Sequence, residues 1–223
     1  MVKSIILLSG GLDSLVSLGV TREKYNVELA LTFDYGQKSA KQEIDSALKL
    51  CKYYNVKHQL IKLDFLKEVT HTSLCSDAMV PTGEQLEDSG ESAQKVWVPN
   101  RNGLFLNIAG SFADGENYDY IIIGANKEEA ATFPDNTAEF IDRVNKEFEY
   151  STRKHPKVFS PLINSDKNDI VKLALENSMP LEYVRSCYLD GDRHCGECES
   201  CMRLKKALLY NNDKRFVKEL FIN

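Results

Sequence analysis

Two stretches of this sequence place reactive residue types at spacings that can do chemistry. The first is Ser9-Gly10-Gly11-Leu12-Asp13-Ser14, set between the apolar run Ile5-Ile6-Leu7-Leu8 and a segment with apolar residues at helical spacing. Paired glycines let the backbone approach a ligand and turn its amides inward, and a helix N-terminus adds partial positive charge, so an anion is favoured there. Phosphate is the guest that such a loop suits. Ser9 and Ser14 can donate hydroxyl hydrogen bonds to it, and Asp13 can cap the helix or help to hold magnesium. A bare Gly-Gly would suggest only a turn with an ordinary N-cap; the full Ser-Gly-Gly-x-Asp-Ser string at a strand-to-helix junction is more specific. No Gly-Lys-Ser/Thr follows as in a Walker loop, and the glycines do not form a dinucleotide fingerprint.

The second stretch is Cys187-x7-Cys195-x2-Cys198-x2-Cys201. Four soft thiolates at this spacing can close a tetrahedral shell around zinc, with Gly196 allowing the tight turn between ligands. A closed shell leaves no position for water, so its role is structural. An iron-sulfur cluster is the rival reading, because Cys-x2-Cys-x2-Cys also occurs in ferredoxins. His194 finds no vacancy in a shell of four thiolates and reads as a bystander on the surface or in a hydrogen bond. Cys51 reads as core, and Cys75 carries no assignment.

Three weaker constellations accompany these. Val98-Pro99-Asn100-Arg101-Asn102 precedes a helix, where Arg101 can pair with phosphate or carboxylate and Asn102 can cap or bind a base. The loop Gly124-Ala125-Asn126-Lys127-Glu128-Glu129 and the turn Phe133-Pro134-Asp135 carry polar groups able to read the edge of a ring, or merely solvated charges. Lys167 opens a helix and can reach a phosphate, as can any surface lysine that happens to lie nearby.

The elements that must position these residues follow from periodicity. Apolar runs at 3–8, 28–33, 57–62 and 120–124 read as strands, and helical spacing marks 14–24, 39–54, 102–113, 137–148, 167–177, 199–210 and a last helix ending near Leu220. On the 39–54 helix, Ile44, Ala47, Leu48 and Cys51 share one side. Residues 64–98, with Pro81, Gly83 and Gly90, have no period and read as an insertion or lid. Strands alternating with helices imply an α/β fold, a doubly wound parallel sheet covered on both faces, with ligands at the carboxyl ends of its strands. The loops after the first, second and fourth of these strands therefore face one site, which brings Asp34-Tyr35-Gly36-Gln37 to it.

The 223 residues suffice for one main core, and we divide them into a phosphate-binding α/β domain over 1–180 and a zinc-binding helical region over 181–223. A formal net charge of −5 weighs against a free-standing nucleic-acid binder. The opening apolar run is too short for a signal-peptide core, and nowhere do about 20 apolar residues follow one another, so no membrane partner and a cytoplasmic location are expected. In a chain without an export signal, metal is the better reading of the clustered cysteines than disulfides.

At its phosphate loop the chain resembles the PP-loop ATP pyrophosphatases, which cleave ATP between the α- and β-phosphates. That loop, Asp34-Tyr35-Gly36-Gln37, Val98-Pro99-x-Arg101-Asn102, Pro134-Asp135 followed by Glu139-Phe140, and Ser186-Cys187-Tyr188 with the cysteine tail are together similar to the QueC family. The resemblance spans nearly the whole chain; its specific part is the N-terminal loop combined with the cysteine tail. It implies a five-stranded sheet and a ligase acting on 7-carboxy-7-deazaguanine with ammonia and ATP. It also implies a homodimer with one structural zinc per subunit, and magnesium accompanying ATP. Ser9, Gly10, Gly11, Leu12, Asp13, Ser14, Asp34, Tyr35 and Gln37 would then bind ATP. Asp13, Arg101 and Lys167 would be catalytic, and Arg101, Asn102 and Asp135 would hold the substrate. Where the family shows an Asp-x-Ser-Gly-Tyr-Pro-Asp-Cys run, this chain has Glu129-Ala130-Ala131-Thr132-Phe133-Pro134-Asp135-Asn136. Four alternatives stay open: a subgroup with the same reaction, a relative treating the deazaguanine differently, a PP-loop enzyme of the thiolase type acting on tRNA, and a non-catalytic nucleotide-sensing module on the same fold.

Overall fold

Alternating side chains along the central strands point to opposite faces, and in this chain both sets are apolar. In β1 (Ser4–Leu7) and the residue after it, Ile5 and Leu7 enter one buried cluster while Ile6 and Leu8 enter another. The same division separates Ile121 and Ile123 from Ile122 in and after β4 (Tyr120–Ile122). A strand buried on both faces has to be covered by helices on both sides, which only parallel strands with helical crossovers supply. The computed structural model describes residues 2–76, 79–80, 82–83 and 95–222. In it, five parallel strands lie in the order β3-β2-β1-β4-β5, with β2 at Val27–Asp34, β3 at Lys57–Lys62 and β5 at Lys157–Phe159. β5 has a single buried residue, Val158, between exposed Lys157 and half-buried Phe159, so no apolar run marks it in the sequence.

On one face pack α1 (Leu12–Thr21) and α2 (Ala40–Tyr54), together with the later α7 (Lys167–Glu176), α8 (Glu199–Tyr210) and α9 (Lys214–Leu220). The other face is covered by α3 (Asp64–Val69), α4 (Arg101–Glu116) and α6 (Ala138–Ser151); α5 (Lys127–Ala130) is a single turn after β4. The C-terminal α8 and α9 share their apolar cluster with α1: Leu204, Leu208, Phe216 and Phe221 are buried with Leu12, Leu15 and Val16.

Two expectations change. Leu48 is exposed, and the buried stripe of α2 is Ser46, Ala47, Leu50 and Cys51 instead. The stripe is turned because the Ser46 hydroxyl donates to Gly10 O at 2.8 Å, which fixes that side of α2 against the phosphate loop. The stretch 64–98 is not wholly irregular, since α3 opens it and Leu74, Cys75, Val96 and Val98 are buried. Residues 77–78, 81 and 84–94 lie outside the described residues, so Pro81 and Gly90 do too, and the lid reading that falls on them gains no structural account.

The chain runs outward from β1 to β2 and β3, then crosses back to β4 on the other side of β1. Where order reverses, the loops leaving β1 and β4 diverge and open a crevice at the carboxyl ends of the strands. The contact there is close: a Cβ at Gly124 would lie 3.1 Å from Asp13 C and Ser14 N, so a side chain would press on the first turn of α1.

Candidate functional site

Gly10 and Gly11 shape the loop after β1. Gly10 has φ +80°, and a Cβ there would come within 2.7 Å of Glu43 O and of Ser46. Its carbonyl is taken by Ser46 and by the Arg185 N–H at 2.8 Å. With both a positive φ and no room, Gly10→Ala is expected to cost about 1 to 3 kcal/mol in urea unfolding; an unchanged midpoint would show that the loop holds some other conformation. Gly11 is the N-cap of α1 and no side chain caps that end. The first-turn amides are thereby left for an anion. Ser9 Oγ lies 3.3 Å from Ser14 Oγ, and Ser14 Oγ donates to Gly11 O at 3.0 Å, so both hydroxyls sit at the loop.

Asp13, in that first turn, meets Lys167 at the first position of α7. A lysine at the positive end of a helix is electrostatically misplaced. Carboxylates offset it here: Lys167 Nζ is 2.5 Å from Asp13 Oδ2 and 3.3 Å from Glu129 Oε1, Glu128 accepts from Lys167 N at 3.2 Å, and Asp166 and Asp169 form a capping box. Glu129 belongs to α5, whose N-cap Asn126 accepts from Glu129 N at 2.9 Å. Arg203 of α8 completes the group, at 3.4 Å from Glu129, 3.7 Å from Glu128 and 2.5 Å from Glu199.

Burial sets the electrostatics of this group. It pushes the Asp13 carboxyl above the ordinary carboxylate range, with Lys167 offsetting only part of the effect, and Asp13 Oδ1 is buried without a hydrogen-bond partner among the described residues. Burial also works to raise Glu129, but Lys167 and Arg203 outweigh it and hold this carboxyl low. For Lys167 burial opposes the ammonium, and Asp13 and then Glu129 overcome it, so the amine stays charged.

Across the crevice, Arg101 begins α4. Its guanidinium hydrogen-bonds the Tyr35 side chain and faces Asp135; burial opposes its charge, and those two neighbours more than restore it. Burial pushes the Tyr35 hydroxyl up to about 12, against the pull of Arg101. Asn102 is buried and donates to Asp135 O at 3.2 Å, while the Asp135 carboxylate accepts from Asn136 at 3.2 Å. Gln37 spends its side chain on its own loop, accepting from Tyr35 N at 3.0 Å and donating to Phe33 O at 3.1 Å and Glu43 at 2.9 Å. Asp34 accepts from Gly36 N at 3.1 Å and closes the turn.

These residues surround an open cavity of about 260 Å³. Ser9, Gly11, Leu12, Asp13, Ser14, Tyr35, Gln37, Arg101, Asn102 and Lys167 line it; Gly10, Asp34 and Asp135 are not among the lining residues. Sequence reading did not single out Arg185 and Arg203, named Ser186 and Tyr188 only as part of the motif around Cys187, and gave Glu129 only as a loop charge. Glu129, Arg185, Ser186 and Tyr188 line the cavity as well. The Arg203–Glu129 contact joins residues 74 apart in sequence, so no local spacing signals it.

The four cysteines converge at the start of α8. Their sulfurs all lie within 4.8 Å of one another, and Cys195 Sγ is 3.8 Å from Cys201 Sγ. A tetrahedron with metal–sulfur bonds of about 2.3 Å has edges of about 3.8 Å. Backbone amides of Glu197 and Cys198 point at Cys195 Sγ at 3.4 and 3.3 Å, and Gly196 takes φ +80° to let the turn form. Such N–H groups suit a thiolate. Four sulfurs this close cannot all ionise without a cation: contact with Cys187 pushes the Cys198 thiol up to about 12. The cluster could therefore hold one metal ion. His194 is not on the surface. It is buried, accepting at Nε2 from Ser186 N at 2.9 Å and donating from Nδ1 to Leu220 O at 3.1 Å, so both ring nitrogens are occupied away from the sulfurs.

A family model described as queuosine biosynthesis protein QueC matches residues 3–212. Among curated relatives, the 7-cyano-7-deazaguanine synthase of Carboxydothermus hydrogenoformans is 49% identical over 93% of this chain and 98% of its own. That of Methanosarcina barkeri is 47% identical over 92% of this chain and 93% of its own. Among solved structures, NMN synthetase from Francisella tularensis shares the fold at a TM-score of 0.51 and 17% identity, over 97% of this chain and 79% of that one.

Proposed function

The chain belongs to the QueC family of queuosine biosynthesis proteins, and from that premise we propose that it is an ATP-dependent carbon–nitrogen ligase. It converts 7-carboxy-7-deazaguanine and ammonia to 7-cyano-7-deazaguanine. The observation that most supports the reading is the convergence of an uncapped helix N-terminus, Lys167 and the buried Arg101 on one cavity. Three cationic features at the carboxyl ends of the strands suit a triphosphate and a carboxylate brought side by side.

A carboxylate is a poor electrophile. Its oxygen attacks the α-phosphorus of ATP and expels pyrophosphate; ammonia then displaces AMP to give the amide. The amide oxygen attacks the α-phosphorus of a second ATP and expels pyrophosphate, and loss of AMP and protons leaves the nitrile. The protein's work is alignment and charge stabilisation. Amides of the loop from Ser9 to Ser14 receive the phosphates, and Lys167 and Arg101 meet charge developing on the pyrophosphate. Asp13 is suited to hold magnesium that accompanies the nucleotide. Asn102 lines the cavity, and its hydrogen bond to the Asp135 carbonyl ties it to the residue we assign as acceptor for a guanine-like edge. In the stretch that departs from the family run, Pro134-Asp135 is kept and Asn136 lines the cavity, which favours a subgroup with the same reaction over a different one.

Zinc is the metal we assign to Cys187, Cys195, Cys198 and Cys201. Their spacing supports a single ion, since a four-iron cluster would spread its ligands over separate irons. A homodimer and a cytoplasmic location complete the reading; among the described residues no helix is long and apolar enough to cross a membrane. Incubation with ATP, ammonium and 7-carboxy-7-deazaguanine is expected to give first the amide and then the nitrile by mass analysis. ATP-dependent sulfur transfer to tRNA, with no nitrile, would establish the thiolase alternative.

A further inference from the structure

Six ionisable side chains meet beside the phosphate loop, and the acids outnumber the bases. Among the described residues, Asp13, Glu128, Glu129 and Glu199 make their ion pairs there with Lys167 and Arg203. Lys167 is the only one of the two cations that lines the cavity. An arriving triphosphate therefore has to compete with Asp13 and Glu129 for the same ammonium. Arg203 stands on the far side of Glu129 and shares its carboxylate, contacting the same Oε1 that Lys167 contacts. The guanidinium is itself fixed by Glu199 one turn earlier on α8, the helix whose N-cap is Cys198 and whose first turn carries Cys201.

We propose that Arg203 is a positioning residue for nucleotide binding: by occupying Glu129 it leaves Lys167 free to pass from the carboxylates to an incoming phosphate. Without Arg203, Lys167 is the one ion-pair partner left in contact with Glu129 among the described residues, with Arg101 acting more weakly, and the wall of the phosphate site becomes more negative by one charge. A buried charge that loses its partner is strongly disfavoured, so Glu129 then holds Lys167 tightly. The arrangement also gives the cysteine-bearing helix a direct electrostatic connection to the phosphate loop, through one turn of α8.

The inference rests on ATP being the ligand but not on the identity of the acceptor. It is tested by calorimetric titration with MgATP alone, in parallel with metal content and thermal unfolding. Arg203→Met, with its metal retained, is expected to bind MgATP on the order of tenfold more weakly. Glu129→Gln removes the competitor and is expected to bind at least as tightly as wild type. The double variant R203M/E129Q should return to within about threefold of wild type, and Arg203→Lys should recover part of the loss. A purely structural role for Arg203 would not be repaired by removing a second buried group. Wild-type affinity in a metal-replete R203M, or a double variant no better than R203M, overturns the proposal. Should R203M fail to fold, weakened binding in E129Q overturns it equally. Wild-type protein that binds MgATP yet makes no nitrile would refute the substrate reading and leave this one standing; wild-type protein that does not bind MgATP refutes both.

Discussion

Asp13→Ala is expected to lower pyrophosphate release by a factor on the order of 10² to 10³ while leaving the protein folded. The expectation follows from the position of its two oxygens. Oδ2 holds Lys167 at 2.5 Å, and Oδ1 is buried with no partner among the described residues, beside first-turn amides that no side chain caps. A buried acceptor without a donor is costly, and a nucleotide-borne cation is the partner that would satisfy it. Removing the carboxylate also leaves Lys167 with Glu129 alone, biasing the ammonium away from the loop. Global stability should move little, because burial already disfavours the Asp13 anion and its loss relieves that cost. Asp13→Asn, which keeps shape and discards charge, should be nearly as impaired as the alanine variant. Turnover within twofold of wild type in either would refute the account of the loop.

Legibility followed the range of the interactions involved. The phosphate loop could be read because its chemistry is local: a strand, two glycines and a helix start are consecutive in sequence. The cysteine cluster could be read for the same reason, and a parallel sheet followed from the alternation of strands with helices, whereas the order of its strands is set by contacts far apart in sequence. Asp34 and Gln37 carry a loop signal, yet a signal of that kind does not say whether a side chain faces a ligand or its own backbone; theirs bond within the turn. Leu48 misled because hydrophobic spacing on α2 fits two overlapping stripes, and the choice between them was made by Ser46 bonding to Gly10 O across the fold. Glu129 and Arg203 were out of reach. They are ordinary charges until the topology brings the loop after β4, the start of α7 and the first turns of α8 to one edge of the sheet.

That convergence explains why the largest stability effect should come from a residue outside the cavity. Cys198→Ser, or complete removal of metal, is expected to cost free energy on the order of 10 kcal/mol, the scale at which structural zinc supports folding. Domains of this size have about 5 to 15 kcal/mol in all, so the C-terminal segment should unfold. Cys198 is the N-cap of α8, and its sulfur shell is the only evident cation site to relieve four crowded thiols among the described residues. When α8 loses its start, Leu204 and Leu208 leave the cluster they share with Leu12 and Leu15, and Glu199 and Arg203 leave Glu129. Pyrophosphate release should therefore vanish as chelator is added, in step with a partial loss of far-ultraviolet helical signal, and the two should return together on readdition of zinc. Metal-free protein that melts at the wild-type temperature would show that apolar packing of α8 on α7 and α1 suffices without the ion. The link from thiolates to phosphate loop would then have to run through that packing alone.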